Sequence, residues 1–275
     1  MSLWPGYRLG PYVVEAEIGA GAQATVYRAH DRERDRRVAL KVMQVDLRDD
    51  PTLRARFERE HRVVSALGHP AVVPVYEAGE IEGQPYLAMG LVEGGTLQSA
   101  ISAEGGLEPD RAVRVLRRVA TALDHAHGQG LVHRDVKPAN VLLDAEGEAY
   151  LSDFGLARIV SDVARLTRTG MWVGTLEYMS PEQIRATGVG PESDQYALAA
   201  VAYETLAGRP PFVRRNPADL MNAHLAETPR PASALRPELA AADPVLQRGL
   251  AKEPGMRFGS ATALVHALAG ALGVR

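Results

Sequence analysis

Apolar positions near the N-terminus fall into short strand-like runs. Val13-Val14, Val26-Tyr27 and Val38-Ala39-Leu40-Lys41-Val42 are separated by glycine-rich or charged turns, which predicts a small antiparallel sheet. Asp50-Pro51 then opens a helix, with Asp at the N-cap and Pro at the first helical position. Leu53, Phe57, Val64 and Leu67 share one face of it at helical spacing, and Glu60 lies inside that stripe whereas Glu58 points away. A carboxylate on a buried face needs a partner, because burying an unpaired charge is expensive. Lys41 on the preceding sheet is the partner this reading selects.

His69-Pro70 ends that unit, and strand-like runs follow over residues 72–77 and 86–89. Glu93-Gly94-Gly95-Thr96 reads as a linker with sheet before it and helical patterns after it. The division predicted is a first lobe of residues 1–92 and a second of residues 93–275, hinged near residues 90–95. Residues 109–127 form a long helix that buries Leu116, Val119, Ala120, Leu123 and Ala126 and stops at Gly128 and Gly130. His125 and His127 sit about 200° apart on it, so they cannot share a metal. Val141-Leu142-Leu143 and Ala149-Tyr150-Leu151 flank a turn as a short hairpin, which makes Asp153 the first residue after a strand. Asp194 stands near the start of an apolar helix that runs through Leu206 and is capped by Gly208.

Composition narrows the class. The 275 residues suffice for one large domain or two lobes with a sizeable core, and 46% hydrophobic with 24% charged residues is ordinary for a folded soluble protein. A net charge of -3 gives no global argument for nucleic acid or an anionic membrane. With no cysteine there are no disulfides, no thiol catalysis and no Cys-ligated metal, which fits a reducing compartment. The N-terminus lacks a signal-peptide pattern. The most apolar stretches, residues 196–208 and 261–274, are broken by Glu204 and His266, so no membrane span is predicted.

Candidate chemistry concentrates in His133-Arg134-Asp135-Val136-Lys137-Pro138-Ala139-Asn140 and Asp153-Phe154-Gly155. Two acids, an amide and two cations project there from segments where Pro and Gly forbid a continuing helix, which suits a multiply charged anion with metal. Lys137 two residues after Asp135, Asn140 five after it and Asp153 thirteen beyond Asn140 resemble the catalytic and metal loops of eukaryotic-type protein kinases. The stretch from Ile18 through Gly19, Gly21 and Ala24 to Val26 resembles the kinase phosphate loop, with Ala24 in place of the third glycine. Val38-Ala39-Leu40-Lys41 resembles the strand that carries the phosphate-gripping lysine. The chain is thus identified as a member of the bacterial Hanks-type serine/threonine kinases, over about residues 10–270.

That resemblance implies an α+β, bilobal protein kinase fold: a small antiparallel-sheet N-lobe with helix C and a larger, mainly helical C-lobe. It implies Asp135 as the group that accepts or orients the substrate hydroxyl, Lys137 on the γ-phosphate, and Lys41 held by Glu60 on the α and β phosphates. Asn140 and Asp153 would ligate Mg²⁺, with Mn²⁺ as a substitute. Ile18, Gly19, Gly21, Val26, Ala39 and Leu142 would surround ATP, with Met89 as gatekeeper and the Gly90 carbonyl and Val92 amide as hinge contacts. Gly90 stands where many relatives carry an acid, which loosens the hinge. Thr175 lies in the substrate loop, Glu182 pairs with Arg257, and Asp194 braces the catalytic loop. Arg134 binds an activation-loop phosphate on Thr167 or Thr169, ahead of Ser161. The activity implied is ATP-dependent phosphorylation of protein Ser/Thr hydroxyls, with autophosphorylation. The setting implied is cytoplasmic, as the kinase portion of a longer membrane-anchored receptor, with a homodimer through the N-lobe and no nucleic acid or membrane contact by this segment. The rival readings are a pseudokinase scaffold and a small-molecule phosphotransferase. Intact Lys41, Glu60, Asp135, Asn140 and Asp153 argue against the first, and the residue 174–182 segment against the second.

Overall fold

The computed structural model describes residues 3–21, 24–44, 65, 67–81, 83–154 and 176–275. The described residues cluster into two units. The first takes the chain through Gly68 and Val72–Glu93, and the second takes His69–Ala71 and everything described from Gly94 onward.

The first unit is a six-stranded antiparallel sheet of β1 (Arg8–Leu9), β2 (Tyr12–Ala20), β3 (Ala24–Asp31), β4 (Arg36–Met43), β5 (Val75–Ile81) and β6 (Gln84–Met89) in the order β1-β2-β3-β4-β6-β5. Strand alternation sends Val38, Leu40 and Val42 into one core with Tyr12, Val14, Tyr27, Ala29, Tyr86 and Ala88. Ala39 and Lys41 therefore lie on the other face. Val26 opposes Lys41 on β3, while Leu87 and Met89 oppose Lys41 and Ala39 on β6, so these five share that face. β4 lies between β3 and β6, so Lys41 is not on an edge strand.

The fifth strand differs from its sequence-based bounds. It starts at Val75, not Val72, because Pro74 has no N–H for a ladder, and its carbonyl accepts from Gly90 N at 2.9 Å. Val72 and Val73 are buried without being strand. The helix read from residue 51, with Glu60 on its stripe, lies outside the described residues.

The second unit contains α1 (Leu97–Glu104), α2 (Pro109–Gly128), the hairpin β7 (Val141–Leu143) and β8 (Ala149–Leu151), α3 (Pro181–Ile184), α4 (Pro191–Ala207), α5 (Pro217–Ala226), α6 (Asp243–Gly249) and α7 (Ala261–Leu272). Helix α2 buries the stripe read from sequence and packs against α4 and α7. Helix α4 is buried on every side from Ser193 to Ala207, as expected for a helix apolar all round. Gly208 ends it with φ 78°, and a Cβ there would strike the Gly105 carbonyl oxygen. No helix among the described residues is long and apolar enough to cross a membrane.

A buried imidazole marks the α4–α5 contact. His224 on α5 is wholly buried, its Nδ1 lies 2.9 Å from the Tyr196 hydroxyl of α4, and its ring packs edge-on against Phe212. Burial, aided by the Lys252 ammonium, lowers its pKa to about 4. The unfolded chain then binds the extra proton between about pH 4 and 6.5, so stability rises with pH across that window. Urea titrations should show stability falling by about 2–3 kcal/mol from this group as pH drops through the window. His224→Phe should flatten that part of the slope, and an unchanged slope would exclude His224 as its source.

Candidate active site

In the second unit α2 delivers the chain to a loop with no regular structure until Pro138. The residue before a proline is driven to extended backbone, and Lys137 has φ -157° and ψ 160°. Pro138–Asn140 then make one 3-10 turn that leads into β7. The hairpin spans the residues read from sequence, except that Ser152 separates β8 from Asp153. Ser152 donates from both N (2.9 Å) and Oγ (3.0 Å) to the Asn140 carbonyl, which locks the two candidate metal-binding segments together.

Asp135 sits at the centre of the loop's polar contacts. Its Oδ2 accepts from Lys137 Nζ at 2.7 Å and from Asn140 Nδ2 at 3.1 Å, and its carbonyl accepts from the same Asn140 nitrogen at 2.8 Å. Its N–H donates to His133 Nδ1 at 3.2 Å. The other ring nitrogen of His133 is 2.9 Å from the Ser152 carbonyl. His133 is fully buried, and Phe154 packs on it with centroids 4.5 Å apart. With a carbonyl at Nε2 and an N–H at Nδ1, the ring is the neutral Nε2–H tautomer.

Arg134 and Asp153 have left-handed backbone, with φ 69° and 65°. For a residue bearing a Cβ this costs about 1–2 kcal/mol, so something must hold it. At Arg134 that is Asp194: its Oδ1 accepts Arg134 N–H and its Oδ2 accepts His133 N–H, each at 2.8 Å. His127 Nε2 lies 2.7 Å from the same Oδ2. The tempting histidine of α2 thus serves a carboxylate. His125 lies beside His69, with centroids 5.1 Å apart.

Below the loop, Glu182 and Arg257 form the paired contact read from sequence, at 2.7 and 2.9 Å. Burial pushes the Glu182 carboxyl up, but hydrogen bonds from Arg257 and Ser193 outweigh it and hold it below the usual range. Glu204 appears in the sequence as an interruption of an apolar helix. In the fold it accepts from the Tyr178 hydroxyl and from Gln98 Nε2, and burial raises its pKa. Leu142 is placed by its bridge to Thr96 and by the Leu143 N–H on Gly95 O at 2.9 Å. Gly94 is pressed so closely to this hairpin that a Cβ would collide with the Leu143 and Asp144 carbonyl oxygens.

In the first unit, Gly21 N donates to Ala24 O at 2.9 Å, and Ala24 is buried opposite Met43. A Cβ at Gly19 or Gly21 would meet only ordinary contacts within 4 Å, so packing does not demand these glycines. Ile18 is 48% exposed, whereas Ala39 and Met89 are buried. At Gly90 an added Cβ would lie 3.0 Å from Pro74 Cδ, so the position leaves little room for a side chain, and Val92 is partly exposed. Glu60, Thr167, Thr169 and Thr175, with Glu58 and Ser161, lie outside the described residues. Among the described residues no group of three or more His, Asp or Glu side chains could hold a metal by itself.

A six-stranded antiparallel sheet of this order in one unit and, in the other, a helical body that carries such a loop define a protein kinase catalytic domain. The chain belongs to the protein kinase domain family, whose pattern matches residues 12–268, and within it to the bacterial serine/threonine branch. It is 43% identical over 267 residues to serine/threonine-protein kinase PknE of Mycobacterium tuberculosis (strain ATCC 25618 / H37Rv), covering 95% of this chain and 47% of that protein. Against serine/threonine-protein kinase PknH of Mycobacterium bovis (strain ATCC BAA-935 / AF2122/97) the identity is 42%, with 93% and 43% covered. The crystal structure of the Mycobacterium tuberculosis PknI kinase domain superposes with a TM-score of 0.79 at 33% identity, covering 98% of this chain and 100% of that one. The chain thus spans less than half the length of these two curated relatives.

The Asp194 contacts carry a prediction. Asp194→Ala leaves the His133 and Arg134 N–H groups without acceptors, so urea denaturation should show a loss of about 3–5 kcal/mol. Hydrogen exchange at the Arg134 amide should speed up by more than the global loss accounts for. A loss under about 1 kcal/mol would mean that the loop stands without this carboxylate.

Proposed function

We propose that this domain transfers the γ-phosphate of ATP to Ser and Thr hydroxyls of proteins, its own activation loop included. The observation that carries the reading is the Asp135 carboxylate gripped by Lys137 and Asn140 in a loop braced from below. Phosphoryl transfer needs an aligned hydroxyl and a neutralised polyphosphate more than covalent help. Asp135 would orient the hydroxyl and take its proton, and Lys137 would move between Asp135 and the γ-phosphate as substrate binds.

The donor set suits Mg²⁺, or Mn²⁺ in its place. Asn140 spends its Nδ2 on Asp135, so its Oδ1 is the end left for a cation, and Asp153 adds a carboxylate oxygen. Mg²⁺ is usually held by one or two such groups plus phosphate oxygens, and when bound it would neutralise the polyphosphate charge. On the first unit, Val26, Ala39 and Met89 offer an apolar face beside Lys41 for the adenine, with the Gly90 carbonyl and Val92 amide as polar contacts. Lys41 would take the α and β phosphates, with Glu60 as its partner. Arg134 would receive a phosphate on Thr167 or Thr169, and Thr175 would line the substrate site. The reading extends to a cytoplasmic setting as the kinase portion of a longer membrane-anchored protein, which the greater length of the relatives PknE and PknH supports. Pairing of two copies through the first unit belongs to the proposal by resemblance, and sedimentation velocity reads it: a monomer at every concentration removes it.

The direct test is intact mass after incubation with Mg-ATP, followed by peptide mapping. The wild type should gain phosphates on Thr167 or Thr169, and Asp135→Asn should slow this by about a hundredfold or more. A wild type that modifies neither itself nor a basic model protein would favour a nucleotide-binding scaffold.

A further inference from the structure

The peptide that joins Arg134 to Asp135 is held at both polar ends. Its N–H donates to His133 Nδ1 at 3.2 Å, and its carbonyl accepts from Gln183 Nε2 at 2.9 Å. The Gln183 Oε1 in turn accepts from Ser180 N–H at 3.0 Å, while Ser180 Oγ accepts from Gln183 N at 3.3 Å, the reciprocal pair of a capping box. The amide orientation is forced, since its nitrogen must meet a carbonyl and its oxygen an N–H. One side chain thus spans from Ser180, which follows the Leu176–Tyr178 turn, to the peptide whose next atom is the Asp135 Cα.

We infer that Gln183 is a positioning residue for Asp135, coupling the placement of the segment ending at Ser180 to the direction of that carboxylate. The inference rests on the role proposed for Asp135. Asp194 fixes the N–H groups of His133 and Arg134, but neither bond stops rotation of the following peptide. Turning that peptide swings the Asp135 side chain away from a hydroxyl, and the Gln183 bond to its carbonyl opposes the turn. If the segment at Ser180 shifts, Gln183 moves with it and the peptide keeps only its N–H bond to His133.

Gln183→Glu separates this role from the helix cap. Glutamate is an ordinary capping-box residue, so its carboxylate keeps the bond to Ser180 N–H. It loses the donor to Arg134 O and sets one oxygen against another. The variant should fold, with a melting temperature within about 3 °C of wild type. Using radiolabelled Mg-ATP and myelin basic protein, its kcat should be about ten- to a hundredfold lower with KM for ATP within about twofold. Gln183→Met, which also lacks the donor, should show a similar loss of kcat. Wild-type kcat in Gln183→Glu, or a loss that falls on KM for ATP and leaves kcat unchanged, would overturn the inference. Wild type and Asp135→Asn run alongside keep the two claims apart: an inactive wild type removes the proposed activity, whereas an active wild type matched by Gln183→Glu removes only the positioning role.

Discussion

The Asp194 carboxylate is almost wholly removed from water, and a charge in that position survives only where donors replace the water it has lost. Three do so: the N–H groups of His133 and Arg134 and the His127 ring. Bonds to a charged acceptor are worth about 1.5–3 kcal/mol each. The left-handed Arg134 costs about 1–2 kcal/mol, so the two backbone bonds exceed the strain they maintain. Position helps as well, because Asp194 lies in the first turn of α4, where the helix dipole favours an anion. The strained loop is therefore a consequence of where one carboxylate is buried.

The same device recurs along the second unit. Glu182 is buried against Arg257 and Ser193, Glu204 against Tyr178 and Gln98, and Asp124 accepts from the Ala261 and Thr262 N–H groups at the start of α7. In each case an acid that would destabilise an apolar core unpaired is satisfied by groups far along the chain. Two of these acids, Asp194 and Glu204, and the Ser193 that serves Glu182 all sit on α4. A helix buried on every side can present polar groups in several directions, and here it fixes the loop, the segment before Ser180 and the base of α3 from one rod.

How much of this was legible depends on the range of the interaction. The strand-like run over residues 38–42 was enough to find β4, and the Asp144–Glu148 turn was readable from its own residues. Asp194 was found through the resemblance to the kinase family, as an acid near the start of an apolar helix. The start of β5 was misread because Val72 and Val73 look like strand, while Pro74 withholds the ladder and the Ala71 carbonyl accepts from Leu151 instead. His127, Gln183 and Glu204 were missed as functional supports. Their partners are 67, 49 and 26 residues away, and no local period encodes a contact at that distance. At Gly90 the sequence shows that a side chain is missing but not that Pro74 leaves little room for one.

For His133, Arg134, Asp135 and Asn140, every described hydrogen-bond partner belongs to the second unit. Among the described residues, the contacts that direct the Asp135 carboxylate thus come from the second unit. A site assembled in this way has little to gain from a switch that remakes the loop itself, since that would require breaking buried charge-assisted bonds worth several kcal/mol. Control is cheaper where the bonds are neutral and nearer the surface. Gln183 fits that description: it is partly exposed, it holds a neutral amide-to-carbonyl bond, and it answers to Ser180 after the Leu176–Tyr178 turn. The deep clamp at Asp194 then supplies a fixed frame, and the shallow one at Gln183 is where a change of a kcal or two can alter the reacting geometry.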